Sequence, residues 1–212
     1  DWMALRAAKG VMITTEAQPR AGGKQLDMTA AIAQLEKALS LAMTLQQSAL
    51  TAGASNVETD RQNALNQTLS HLAEPGIVAY GKSGIAHVTP DSLQLSAGKD
   101  LIATAGGNAS VNMVKKFSLA VGEKLSLFAR KLGIQMIAGA GDITTQAQRG
   151  EMHMLSQQDF TLTSTDGKMN GSARKGMQFV CGGGGIRISP TGLVTIFSPT
   201  GIELKAPSGF VE

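Results

Sequence analysis

Aromatic residues make up only 4% of this 212-residue sequence. A compact core of such a chain is normally built around more large rings, so a thick globular packing is disfavoured. There is one cysteine, Cys181, which excludes an internal disulfide and any cysteine-rich metal site. No run of about 18 apolar residues occurs, so nothing in the sequence spans a bilayer as a helix. Charge of neither sign dominates, with a net of +3 from 19 basic and 16 acidic residues. The basic residues that do cluster form short pairs, Lys115-Lys116, Arg130-Lys131 and Arg174-Lys175, which read as solvated surface and predict no nucleic-acid partner. The opening Asp1-Trp2 carries neither an initiator Met nor a signal-peptide pattern, which predicts a fragment of a longer protein.

What is abundant is Gly, 25 residues, in a chain that is 42% hydrophobic. Few rings, much Gly and many short aliphatic side chains suit a thin, repetitive structure. The stretch Phe117 to Phe128, "FSLAVGEKLSLF", writes apolar-Ser-apolar twice, eight residues apart. Alternation with a period of two marks a strand with one buried face, and eight residues hold a short strand and a tight turn. Stepping back from Phe117 by eight gives Ala109, Leu101, Leu93, Ile85 and Ile77, and stepping forward gives Leu125. At this hydrophobic content a run of seven such positions arises by chance in about 2% of cases over all eight phases. Steps of eight or nine then reach Ile134, Ile143, Met152, Phe160, Met169, Met177, Ile186, Val194 and Ile202.

Two residues after these anchors lies a second apolar column: Leu95, Val111, Leu119, Leu127, Met136, Met154, Leu162, Phe179, Ile188, Ile196 and Leu204. The residue between is polar almost throughout (Gln94, Ser110, Ser118, Ser126, Gln135, His153, Gln178, Arg187), with Ile102 the clear exception. The pattern is inside-outside-inside, repeated. Gly98, Gly106, Gly122, Gly141-Asp142 and Asp166-Gly167 fall where turns are needed. Met3/Leu5 and Val11/Ile13 carry the same pattern near the start.

Between them the beat is interrupted. Met28, Ile32, Leu35, Leu39 and Ala42 follow helical spacing, with Asp27 as the expected N-cap and "TAGASN" (51–56) as the break. Leu65, Leu69 and Leu72 share one face of a second helix that Pro75-Gly76 ends. The expected organisation is therefore first β repeats and a loop over 1–26, an inserted helical hairpin over 27–74, and a β array over 75–212.

A strand with two inward side chains cannot bury them alone. Two architectures satisfy the array. A single chain can coil as a parallel β-helix, or three chains can wind around one axis as an intertwined triple-stranded β-helix, a β-prism. Uniform short turns favour the prism. Sixteen strands, each advancing about 4.8 Å, would make it roughly 75 Å long. The fold class expected is mostly β, a homotrimeric prism of octad-like repeats with an inserted helical hairpin.

The stretch "AAKGVMITTEAQPRAGG" (7–23), the helical segment after it and the octads resemble the C-terminal spike domain of VgrG, the valine-glycine repeat protein of type VI secretion. That domain is similar to the central spike of contractile phage tails. The resemblance implies a structural, non-enzymatic homotrimeric spike that punctures a target membrane and carries a PAAR-type tip protein and effectors. It implies a hub before Asp1 that joins the spike to the secretion tube. It also implies a location in the bacterial cytoplasm before firing and outside the cell, or in a target cell, afterwards. A docking module for tip protein or effector is a second reading, and a single-chain β-helix enzyme such as a polysaccharide lyase a third. The third needs clustered acidic and basic residues on one face, whereas the outward column is mostly Ser, Thr, Gln and Asn.

No catalytic or cofactor-binding constellation is expected. "CGGGG" (181–185) is followed by a strand rather than by the Lys-[Ser/Thr] and helix of a phosphate loop, so it reads as a widened turn. His71, His87 and His153 have no ligand spacing. His87 alone falls in an inward column, so a trimer would place three copies around the axis, where they could hold an ion or a water. Cys181 has no His or Asn context for nucleophilic catalysis. Met136, Met152, Met154, Met169 and Met177 read as core filler. The residues expected to matter are the inward columns themselves: Leu101, Val111, Phe117, Leu119, Leu125, Leu127, Ile134, Met136, Phe160, Leu162, Ile186, Ile188, Val194, Ile196, Ile202 and Leu204.

Overall fold

The computed structural model describes residues 2–18, 27–56, 58–71 and 74–204, with the side chain of His71 excepted. Leu72 and most of the loop before Asp27 lie outside the described residues. The chain divides into two units, Asp1–Gly141 and Asp142–Glu212.

In the first unit, β1 (Val11–Thr14) and β2 (Ile77–Tyr80) pair in parallel, Val11 opposite Ile77 and Met12 opposite Val78. Gly10 and Gly76 begin the pair, and the Val11 amide donates to the Gly76 carbonyl at 2.9 Å. The backbones approach so closely that a Cβ on Gly10 would sit 2.6 Å from the Gly76 oxygen. The end of the pair is tied by the "ITTEA" threonines: Thr15 donates its amide to Tyr80, and its hydroxyl accepts from the Lys82 amide.

Between the strands run α1 (Thr29–Thr51) and α2 (Thr59–His71). Met28 occupies the cap position of α1, and Asp27, one residue earlier than expected of the cap, accepts from the amide and hydroxyl of Thr29. Those two bonds favour the charged carboxylate and hold its pKa below the usual range. The far end closes as a Schellman motif, Ala54 donating to Ala49 and Gly53 to Leu50. Met28, Ala31 and Val78 form the buried cluster, with Met12, Ile32, Leu69 and Tyr80 packed around it. Thus one face of β1–β2 carries the helices. The other face, Val11, Ile13, Ile77 and Ala79, stays open, with Ile77 73% exposed.

From Gly84 onward the backbone repeats the sequence beat. Bends fall at 82–83, 90–91, 98–99, 106–107, 114–115 and 122–123, then at 130–132, 139–141, 148–150, 157–158, 165–167 and 174–175. Between them the straight segments keep one length: 84–89, 92–97, 100–105, and so on to 168–173. Each step of nine is a three-residue bend, and each step of eight a two-residue bend. Every anchor from Ile85 to Met169 is the second residue of its segment, and the fourth is its apolar companion except at His87, Thr145 and Gly171.

In the second unit the chain pairs with itself again. Strands β3 (Met177–Cys181), β4 (Gly184–Ile188) and β5 (Val194–Phe197) form an antiparallel sheet in that order. The turn is Gly182-Gly183, with φ +55° and +84°, the two positive values a type I′ hairpin demands. The sequence reading continued the winding through this region with "CGGGG" as a widened turn. Residues 177–197 instead meander within one chain. The columns survive: Phe179 faces Ile186, which faces Ile196, while Gln178, Arg187 and Thr195 line up on the reverse side.

Candidate functional site

Two surfaces emerge. The first is the array itself. Among the described residues, nothing between Gly81 and Gly176 pairs with another strand of the same chain. A single-chain β-helix would pair its coils throughout, so that alternative is overturned. The apolar columns are consequently bare: Leu101 is 73%, Phe117 64% and Leu119 59% exposed. The chain shows 20280 Å² of surface, against about 9,300 Å² for a globular chain of 22.0 kDa. A sequence that places two apolar side chains on one side of most segments and leaves them in water is written for a partner.

The second surface is where the hairpin meets the array. Along α1 Leu35, Ala42 and Ala49 recur every seven positions, with both alanines buried. The opposing face of α2 is polar and buried: Thr59, Gln62 and Asn66. This corrects the expected leucine face, since Leu65 is exposed and only Leu69 of the described leucines joins the core. Ala on α1 lets the helices approach, and the polar side chains are satisfied across the seam. Asn66 donates to the Leu35 carbonyl at 3.0 Å, the Thr59 hydroxyl to Gln46 at 2.9 Å, and Gln46 to Asn56. Gln62 reaches further and donates to the Thr104 hydroxyl at 3.4 Å, bridging α2 to the segment 100–105.

Ile102 lies there too. With Ala42, Leu45, Arg61 and Gln62 it lines a cleft of about 590 Å³ between hairpin and segment. Ile102, the clear apolar exception in the outward column from Gln94 onward, is thus beside the hairpin. Glu58 and Arg61 form an exposed ion pair, 3.9 Å apart, at its rim.

The remaining candidates stand apart. His87 is exposed, the fourth residue of segment 84–89, in the same column as Leu95 and Val111. His153 is 3.1 Å from Glu151, both exposed, two residues apart on the outward side. Cys181 is exposed at the end of β3, beside the hairpin turn. No group of metal-binding side chains occurs among the described residues, and none of their helices is long and apolar enough to cross a membrane.

Comparison with known proteins agrees along the chain. Residues 1–49 match the family described as putative type VI secretion system Rhs element Vgr. Residues 64–209 match a family described as an uncharacterized protein conserved in bacteria, DUF2345. A solved structure of the VgrG spike from the type 6 secretion system is 34% identical, with a TM-score of 0.92 over 97% of this chain and 78% of that one. The chain belongs to the VgrG spike family. A second solved VgrG spike, with the effector Tle1 bound, gives 34% identity and a TM-score of 0.93 over 99% of this chain and 65% of that one. The type VI secretion system spike proteins VgrG2a and VgrG2b of Pseudomonas aeruginosa are 28% identical over 175 residues. That alignment covers 76% of this chain but only 21% and 17% of those VgrG proteins, so the chain spans about a fifth of the length of these relatives. The mostly β architecture with two helices is thus that of a VgrG spike.

Proposed function

We propose that this chain is the shaft of a structural, non-enzymatic puncturing spike in a type VI secretion machine. Three copies wind around one axis as an intertwined triple-stranded β-prism, with the hairpin of residues 27–74 inserted outside it and the needle taking up 75–212, its winding giving way to the antiparallel sheet at 177–197. The observation that carries the proposal is the run of equal segments, most with two exposed apolar side chains on one side and none with a pairing partner among the described residues of its own chain. Three chains supply each segment with neighbours on both edges and close the columns into one core. Mechanical load along the axis is then shared by every backbone hydrogen bond of the ladder. The hub and secretion tube lie on the side of Asp1, and a PAAR-type protein covers the other end. The spike starts in the bacterial cytoplasm and is expelled across a target membrane.

Solution mass tests this. Three times 22.0 kDa, about 66 kDa, is expected, and a stable 22.0 kDa monomer overturns the prism.

The spike solved with an effector bound favours a second, compatible role, that of a cargo platform. The hairpin is its natural seat, since Met43, Leu50 and Leu65 remain exposed on its two helices. Cargo retained by a trimer without the hairpin would move docking to the outer faces.

A further inference from the structure

The basic pairs have found no role in the core or the hairpin, and the backbone shows where they sit. Lys115 lies in the bend 114–115 with Lys116 next to it, and Arg130-Lys131 lies in the bend 130–132. Lys124 follows the bend 122–123 between them. Against these five cations the stretch 114–132 has one acid, Glu123. All five are exposed, and none makes an ion pair among the described residues. Three consecutive bends occupy the three corners of a three-sided shaft, so the cations complete one turn around it.

Apolar side chains are interleaved with them on the wrong side for a core. Val114 and Leu132 sit in the bends themselves and are fully exposed. Phe128 and Ile137 are fifth residues of their segments, with parity opposite to the inward second and fourth positions. Winding three chains together therefore covers Phe117 and Leu119 but leaves these four outside. Lys and Arg alternating with exposed aliphatic and aromatic groups is the composition of a lipid headgroup interface: cations meet phosphates while apolar tips enter the acyl boundary. Nucleic acid would use the cations and have no use for corner aliphatics.

We infer that residues 114–137 form a girdle that engages the anionic phospholipid surface of a membrane around the shaft. The inference rests on the trimeric-prism reading, because only there do the three bends encircle one axis.

Flotation of the full chain with vesicles tests it, using phosphatidylcholine containing phosphatidylglycerol as the minor component, and phosphatidylcholine alone. The expected result is binding to the anionic vesicles that weakens with salt, and little to the neutral ones. Arg130→Gln with Lys131→Gln should lower that binding at least about tenfold. Arg174→Gln with Lys175→Gln makes the same charge change in a bend outside residues 114–137, and should alter it by less than about twofold. Val114→Ser with Leu132→Ser should weaken binding while keeping its salt dependence. Equal loss from the two basic pairs, or no wild-type partition onto anionic vesicles, overturns the girdle. Binding to RNA without binding to vesicles would assign the cations to nucleic acid and overturn it as well. Mass measured on the same samples separates the two readings, since a trimer that ignores vesicles sinks only the girdle and a monomer sinks the prism.

Discussion

Ser118 and Leu119 are neighbours with opposite fates in the proposed trimer and nearly equal ones in the single chain. Both are exposed in the protomer, Leu119 at 59%. They are the third and fourth residues of the segment 116–121, so their side chains leave opposite faces of the strand. Winding three chains buries the remaining surface of Leu119, which contributes about 1–2 kcal/mol per chain of the 1.5–3 expected for complete burial of such a side chain. Leu119→Asp removes that and adds a carboxylate in apolar surroundings, facing two copies of itself across the axis. Desolvation and mutual repulsion bring the cost to several kcal/mol per chain, and the three costs arrive together because the core is shared.

Ser118→Asp makes the same charge change one residue away. Its three carboxylates lie outside, separated by the width of the prism and screened by salt, so the effect should stay within about 0.5 kcal/mol per chain. Trimer mass and thermal melting of the two variants decide the matter. Leu119→Asp should fail to assemble or melt far lower, and Ser118→Asp should resemble the parent. If both are tolerated alike, the segment is as solvated in the functional particle as in one chain, and the column assignment is wrong. A reversed order would turn the array inside out.

Ile102→Asp should leave the trimer intact but loosen the hairpin, because a carboxylate would replace an apolar side chain in the cleft that Ala42 and Leu45 line. Faster amide exchange confined to α1 and α2 is the expected readout, and loss of the trimer would mean that Ile102 faces the axis. His87→Phe should preserve the trimer if His87 only fills the core. If three copies hold an ion on the axis, metal analysis should find about one ion per three parent chains and none in the variant.

The beat was legible because period-two alternation and fixed turn length are both written locally. The bends at 82 to 175 reproduce even the changes from eight to nine, which the anchors Ile134, Ile143 and Met152 had required. Ile102 broke the polar column for a reason that no strand pattern could express, a helix lying over it. The sheet at 177–197 was missed although "GG" between alternating apolar runs is a hairpin signature. The step from Met177 to Ile186 equals a winding step, so periodicity alone did not separate a turn around the axis from a turn back upon the chain. The seam of α2 was missed because an apolar template looks for Leu65 and Leu69. Ala42 and Ala49 instead admit buried Thr59, Gln62 and Asn66, whose bonds replace apolar area.

These differences divide the chain into parts that can form alone and parts that cannot. The hairpin has its own caps, its own seam and a buried cluster with β2, and β3–β5 has its own ladder. The segments between 84 and 173 have neither. Local contacts form before distant ones, because little chain entropy is lost in closing them. Refolding from denaturant should therefore recover helix in a fast phase whose rate is independent of protein concentration. The remaining β signal should follow in a slower phase that accelerates with concentration, because it waits on the meeting of three chains. Circular dichroism followed at two wavelengths over a range of concentrations measures both. If helix and β signals rise together with the same concentration dependence, α1 and α2 form only between chains, and the intrachain seam of Asn66 and Thr59 does not hold the hairpin by itself.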